Sequence, residues 1–188
     1  MNFSQVVQAV LDITKRPDKK VETERAVNAA LSFYCTKAEF ELDRKEVSIA
    51  ITANSYAGVV DISASVTRFR RFIYINKPGA LGYLTKIGPD KLFTPGHITQ
   101  KDVYYLIGRE LNYVLSTPAS TLNVAYLQAP PILTNNDTFW LLDVADSCVI
   151  DKAASRIFQL IGDEQSMGAH NAMAREFYDA FVRDQYQP

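Results

Sequence analysis

The sequence predicts an α+β fold: a helical bundle from N-terminal and C-terminal helices, with a β-rich insertion of antiparallel strands between them. Three observations predict it. Apolar residues recur every three to four positions near both ends, the period of a helix buried along one face. In the middle the period drops to two, as in a half-buried strand. Charge divides the chain in the same way: residues 1–45 carry 8 positive and 7 negative charges, residues 46–135 carry 8 and 5, and residues 136–188 carry 4 and 9. The middle is charge-poor and the end acidic. The 188 residues are long enough for one substantial core without disulfides or a structural metal. The expected organisation is a single domain, 1–188, made of a helical hairpin (1–36), a β-rich insertion (37–132), C-terminal helices (133–184) and a tail (185–188).

In the first helix Phe3, Val6, Val7, Val10, Leu11 and Ile13 repeat at helical spacing, with Asn2 and Gln5 placed for a capping box. Pro17-Asp18 ends it. A second helix over about 20–34 puts Ala26, Val27, Ala30, Leu31 and Tyr34 on one side. Strand alternation follows. Phe40 and Leu42 alternate with Glu39 and Glu41, Asp43-Arg44-Lys45 reads as a turn, and Val47, Ile49 and Ile51 alternate with polar residues. Residues 56–66 and 69–76 read as a second β pair, packed through Phe69, Ile73 and Ile75 or through Phe72 and Tyr74.

Pro78-Gly79, Gly82, Gly88-Pro89-Asp90 and Pro95-Gly96 crowd 77–99 with turn residues, so an ordered loop with short strands is expected there. Residues 103–107 and 111–115 flank Gly108-Arg109. The spacing of Tyr104, Tyr105, Leu111 and Leu115 suits a helix as well, but the tyrosines favour a hairpin. A further strand over 122–127 is stopped by Ala129-Pro130-Pro131.

The C-terminal helices carry the strongest pattern. Ala145, Val149, Ala153, Ile157 and Leu160, joined by Ile150, Ala154, Phe158 and Ile161, leave only Asp151, Lys152, Ser155, Arg156 and Gln159 as a wet stripe. Trp140 is expected to anchor this helix to the sheet. Gly162 fits a left-handed C-terminal stop, and Asp163-Glu164 opens a last helix with acids at the positive end of its dipole. Ala169, Met173, Phe177 and Phe181 are its expected packed face, with Arg175/Asp179 and Asp179/Arg183 at i,i+4. The tail 184–188 is expected to be mobile unless a partner holds it.

Few residue patterns suggest chemistry. Cys35 and Cys148 are 113 positions apart and belong to no metal motif; Cys148 reads as a buried small hydrophobe in a reduced compartment. His97 and His170 lack chelating neighbours in the sequence. No nucleophile elbow, phosphate loop or zincin motif occurs, so no cofactor and no catalytic residue are expected. Glu110 is the one acid of the middle that a carboxylate mechanism would draw on, and a solvated turn position is its plainer reading. Arg68, Arg70 and Arg71 among Phe69, Phe72 and Tyr74 resemble a nucleic-acid surface, but a basic strand edge explains them equally. The first residues lack a basic start before an apolar run, and no window holds 18 uninterrupted apolar positions. Export and membrane spanning are therefore not expected.

The order of elements carries a resemblance. Two N-terminal helices precede a β insertion ending in Leu122-Asn123-Val124-Ala125-Tyr126-Leu127-Gln128-Ala129-Pro130-Pro131; Asn136-Asp137-Thr138-Phe139-Trp140 then leads into the Ala-rich Ile150-Asp151-Lys152-Ala153-Ala154. The chain resembles the head-to-tail adaptor (connector, head-completion) proteins of tailed bacteriophages. Members often carry a proline entering that helix, where this chain has Val144-Ala145-Asp146-Ser147.

The resemblance implies a structural virion protein of the neck, present in host cytoplasm during assembly. It implies a ring, commonly of twelve copies, docked beneath the portal protein, with a platform for the tail or nozzle protein and a channel that DNA crosses without sequence recognition. On that expectation Phe177, Phe181 and Tyr186 are candidate portal contacts, and truncation after Phe177 should spare folding. Trp140, Val149, Ala153 and Ile157 are candidate subunit-interface residues, because their helix has more apolar surface than one partner covers. A virion-associated cell-wall hydrolase and a monomeric β-type binding module are the alternatives.

Overall fold

A computed structural model describes residues 1–88 and 101–186. The turn residues Pro89, Asp90, Pro95 and Gly96, and His97 with them, lie outside the described residues. The chain divides into two compact units, Met1–Leu42 with Ala129–Pro188, and Asp43–Gln128. The fold is α+β with a β-rich insertion.

The first unit is helical: α1 (Phe3–Thr14), α2 (Lys20–Lys37), α3 (Trp140–Val144), α4 (Asp146–Ile161) and α5 (Glu164–Tyr186). The expected capping box closes α1, as the Asn2 side chain accepts from the Gln5 N–H and Gln5 returns the bond to the Asn2 N–H, both at 2.9 Å. Pro17–Lys19 forms a single 3-10 turn into α2. α4 packs against α1, α2 and α5. Cys148, Val149, Ala153, Ala154 and Ile157 are at most 1% exposed. The expected wet stripe is covered in part: Asp151 and Ser155 are each 6% exposed, while Arg156 and Gln159 are exposed. Two bonds to α5 make that burial tolerable, because Asp151 meets His170 at 2.7 Å and the Ser155 hydroxyl donates to the Met167 carbonyl at 3.0 Å. α4 is the central helix of the unit, and Arg156, Gln159 and Leu160 toward its end stay exposed.

The segment that enters this helix is itself helical, and a break at Ala145 (φ −148°, ψ 42°) separates α3 from α4. At the other end Gly162 takes a left-handed φ of +78° and the Asp163 N–H bonds to the Phe158 carbonyl at 3.0 Å, the closure the sequence predicted. α5 continues to Tyr186, so the chain stays helical past the point where a mobile tail was expected. Its packed face also differs from the expected one. Ala174 and Tyr178 are buried, with Met167, Phe181 and Val182 alongside, whereas Met173 and Phe177 are 44% and 45% exposed.

The second unit is a five-stranded sheet: β1 (Arg44–Asp61), β2 (Phe69–Asn76), β3 (Thr85–Lys86), β4 (Val103–Ile107) and β5 (Glu110–Gln128). The order is β1-β5-β4-β3, with β2 also paired to β5. The pairs are antiparallel apart from the two-residue parallel β3–β4 ladder. Gly108 (φ +58°) opens the β4–β5 turn, settling that segment as a hairpin; a positive φ at its first turn residue is the type II′ requirement.

Three strand expectations are corrected. Residues 38–42 form no strand: a 3-10 turn occupies Glu41–Asp43, and Phe40 is buried in the helical core against Trp140 and Phe181. Residues 56–61 continue β1, the turn at 62–68 follows, and β2 pairs with β5. The segments 111–115 and 122–127 are one strand, β5, whose ladder with β1 is irregular between Ala50/Ser55 and Ser55/Ala57. Pro118 falls in that irregular stretch of β5, where a missing N–H costs no regular ladder bond. In β2, register shifts at Phe69/Arg71 and Phe72/Tyr74 bring Phe69, Phe72 and Ile75 to one packed cluster and leave Ile73 41% exposed. Bulges turned two alternative faces into one.

Candidate functional site

The helical unit presents two different exposed surfaces. The first is a basic groove along α2 and α4. Its floor is Ala26, Ala29 and Ala30 with the half-exposed Phe33, and Lys152, Arg156 and Gln159 line its α4 side, enclosing about 200 Å³. A second hollow of about 330 Å³ continues it past Phe33 and Lys152 to Lys37, Arg175 and Asp179. Two ammonium groups share the Phe33 ring, Lys152 Nζ at 4.8 Å and Lys37 Nζ at 5.0 Å from its centre, an arrangement the ring's negative face supports. Lys152 also donates to Asn171 Oδ1 at 2.7 Å. Burial lowers the Lys152 pKa, and the neighbouring Lys37 and Arg156 charges lower it further. Among the described residues no carboxylate pairs with Lys37, Lys152 or Arg156. Arg175 has one acidic neighbour, Asp179, at 3.9 Å.

The second surface is a flank of α5. At 3.6 residues per turn, Met173, Phe177 and Asp184 lie roughly 80–120° to one side of the buried Ala174–Tyr178 seam, and Arg175 and Asp179 roughly as far to the other. All five are exposed. The continuation of the groove at Arg175 and Asp179 and the Met173–Phe177 stripe therefore sit on opposite flanks of α5. Ala180, also exposed, extends the stripe, and Glu176 lies at its far edge on the outer ridge of the helix, about two turns before the exposed Arg183.

The sequence model of the SU10 adaptor protein family matches residues 1–187. The chain belongs to this family of phage head-to-tail adaptors. No curated protein matches its sequence. The adaptor is thus a structural protein of a bacteriophage and a virion component. None of its described helices is long and apolar enough to cross a membrane.

Within the adaptor, the four residues expected at a subunit interface have another occupation. Val149, Ala153 and Ile157 are 0% exposed, covered by the chain's own α1, α2 and α5, so their side chains have no surface to offer another copy. Trp140 packs edge-on against Phe40 at 4.9 Å and near Phe139 and Phe181, rings of the helical unit. Most of the apolar surface of α4 is covered within one chain, and Leu160, 61% exposed, is the part left outside.

Of the candidate portal contacts, Phe181 is half-buried against Phe40 and Trp140, Phe177 is exposed, and Tyr186 is the last helical residue of α5. Truncation after Phe177 would remove Tyr178, which is 8% exposed and stacked on Tyr34 at 4.5 Å. That cut breaks the core.

The other sequence candidates fall into structural roles. Glu110 is exposed beside the hairpin turn. Arg68 adopts φ +48° before β2 and bonds Gln128 Oε1 at 2.8 Å, so it does not share a strand face with Arg70. His170 stacks on Phe158 at 5.2 Å while holding Asp151. Burial pushes the Cys148 thiol up to about 12, which makes it unreactive.

No sequence pattern marked Asp102, which gathers three polar bonds in the β unit. It meets Lys77 Nζ at 2.7 Å and accepts from the Ser116 N–H and hydroxyl at 3.1 and 2.5 Å. A shallow cleft of about 230 Å³ on the sheet is lined by Glu46, Ser48, Tyr74, Asn76 and Asn123; Tyr74 donates to Glu46 and Ser48 to Asn123, both at 2.8 Å, while Asn76 Oδ1 is buried without a hydrogen-bond partner among the described residues. Among the described residues no group of three or more His, Cys, Asp or Glu gathers to hold a metal ion.

Proposed function

We propose that the adaptor acts as a ring of copies, commonly twelve in such proteins, seated beneath the portal of a filled capsid. Its two units together serve as one adaptor domain. The ring offers the tail or nozzle protein a docking platform and lets DNA pass along its axis without sequence recognition. It is assembled in host cytoplasm, stays in the virion neck and performs no catalysis.

The family match over residues 1–187 is the observation that carries this reading. The acidic balance of 136–188, 9 negative against 4 positive charges, supports it, since like charge keeps passing DNA from adhering. The portal contact belongs to the last turn of α5, with Tyr186 as its anchor. Phe181 braces that turn from within. Phe177, nine residues and roughly 13 Å of helix earlier, is left for a lateral contact.

Imaging the full chain mixed with its cognate portal tests the reading. A collar of adaptor on the portal is expected; portal rings that stay bare overturn it. Truncation after Asp184, which keeps Tyr178, Phe181 and Asp184, should preserve folding and abolish docking. Unchanged docking by that variant would reassign the portal contact.

A further inference from the structure

We propose that neighbouring copies of the adaptor join head to tail, the Met173–Phe177 stripe of α5 in one copy entering the Lys37/Lys152/Arg156 groove between α2 and α4 of the next. This rests on the ring reading and names the contact that would build the ring.

Three features of the helical unit carry the inference. The first is shape and polarity. Alanine methyls floor the groove, so an apolar side chain can seat there close to the backbone. Lys37 and Lys152 fold over Phe33 instead of reaching outward. A row of DNA phosphates would call for cations projecting into solvent, whereas this groove suits an apolar ring flanked by carboxylates.

The second feature is charge. Lys37, Lys152 and Arg156 gather without a paired carboxylate among the described residues, in a chain whose net charge is −1. The stripe supplies what is missing: Met173 and Phe177 are exposed apolar side chains, and Glu176 and Asp184 are exposed acids beside them. Opposite charges at the rim favour encounter and set register, while the apolar centre supplies the burial.

The third feature is placement. A groove between α2 and α4 that runs on to one flank of α5, and a stripe on the other flank of α5, cannot satisfy each other within a single copy. Two different complementary patches make a heterologous contact, the kind that closes into a ring or runs on as a filament. A self-complementary patch would stop at a dimer.

The test uses the full chain with its cognate portal and two single-cysteine additions, Gln159→Cys in the groove and Met173→Cys on the stripe. The native cysteines are buried and stay silent. Mixed in equal amounts and oxidised on the portal, the two variants should form a disulfide-linked pair containing one of each. In parallel, Lys37→Glu with Arg156→Glu, both at exposed positions, should lower the number of copies held per portal, with roughly a tenfold or greater loss of association. Glu176→Lys with Asp184→Lys should do the same. Mixing the two charge-reversed proteins should restore assembly through alternating copies, because each acidic stripe then meets a basic groove and each basic stripe an acidic one, and one chain carrying all four reversals should recover assembly as well.

If the wild-type protein forms a collar but the cysteines do not link and the reversals change nothing, this contact is wrong and the ring stands. A cross-link from Gln159→Cys to the portal gives the groove to the portal instead. Failure of the wild-type protein to assemble on the portal removes both readings.

Discussion

The helical unit and the β unit hold themselves together by different means. In the helical unit, side chains from α1, α2 and α5 surround α4, and the core is a continuous volume of aliphatic and aromatic groups. Its hydrogen bonds are mostly settled inside each helix. The β unit has a smaller buried cluster and depends on register: an irregular β1–β5 ladder, two bulges in β2, and three non-glycine residues at positive φ, Asn54, Arg68 and Asp102. Asparagine and aspartate tolerate that region better than most residues. The difference teaches where each unit is vulnerable. Removing volume should injure the helical unit most, whereas a blocked cross-strand approach or a lost polar bond should injure the β unit.

The largest effect is expected from Ile157→Ala. Ile157 is fully buried at the centre of α4, and deleting its branch leaves a cavity between helices that cannot all close on it. A loss of about 3–4 kcal/mol is expected. Trp140, the single tryptophan, belongs to the helical unit, so the midpoint of its fluorescence change in denaturant reads this loss directly. A loss below about 1 kcal/mol would mean that the core re-closes and that packed volume is not what distinguishes this unit.

A steric change should serve the β unit as the counterpart. Gly58 faces Tyr113 across β1 and β5, and a β-carbon there would lie 2.6 Å from the Tyr113 hydroxyl oxygen and 3.0 Å from the ring carbon that bears it. Tyr113 is 3% exposed and has little room to retreat. Gly58→Ala should cost about 2 kcal/mol, with much of the loss recovered when Tyr113→Phe is added. Circular dichroism during denaturation measures both. Equal loss in the single and double variants would show that the hydroxyl is not the obstacle.

What the sequence revealed follows the same division. Helix period, the Asn2/Gln5 box and the Gly162 stop were readable because each is a local pattern with a local cause. The packed face of α5 was misread because Ala169, Met173, Phe177 and Phe181 are four apart, a spacing that drifts around a helix of 3.6 residues per turn; the true seam through Met167, Ala174, Tyr178 and Phe181 steps by seven, four and three. In the β unit, Pro118 and the polar residues around it looked like a break in β5, and the bulges of β2 defeated simple alternation. The groove was illegible for another reason. Phe33 and Lys37 are on α2 and Lys152 and Arg156 on α4, more than a hundred positions away, and no local pattern joins them. Asp102 and Lys77 are likewise brought together only by the sheet.

His170→Ala tests a polar bond in the helical unit, where volume is expected to dominate. Its ring lies 2.7 Å from a carboxylate, and the side chains of Asp151 and His170 are 9% and 20% exposed. Truncation strands Asp151 against α5 and removes the stack on Phe158. About 2 kcal/mol should be lost, less than at Ile157. His170→Ala combined with Asp151→Ala should cost less than the two single changes added together. Strict additivity in Trp140 fluorescence would show that the pair does not act as a unit.

The smallest effect belongs to Asp102→Asn in the β unit, and pH identifies it. Burial opposes ionisation of Asp102, but the bonds from Lys77 and from the Ser116 hydroxyl and N–H outweigh it and hold the carboxyl at about 2, below the roughly 3.9 of an unfolded aspartate. A carboxyl depressed in the folded state stabilises the fold at every pH above its unfolded value, and the contribution disappears as pH falls through the folded value. The carboxylate is 36% exposed, so solvent screening reduces the contribution to about 1 kcal/mol. The stability difference between the wild-type protein and Asp102→Asn should be constant above about pH 5 and shrink between about pH 4 and 2, where the protonated acid comes to resemble the amide. Denaturant midpoints read by circular dichroism across that range measure it. A difference that persists unchanged at pH 2 would place the cost in the shape of the side chain, and the β unit would then owe less to this pin than its geometry implies.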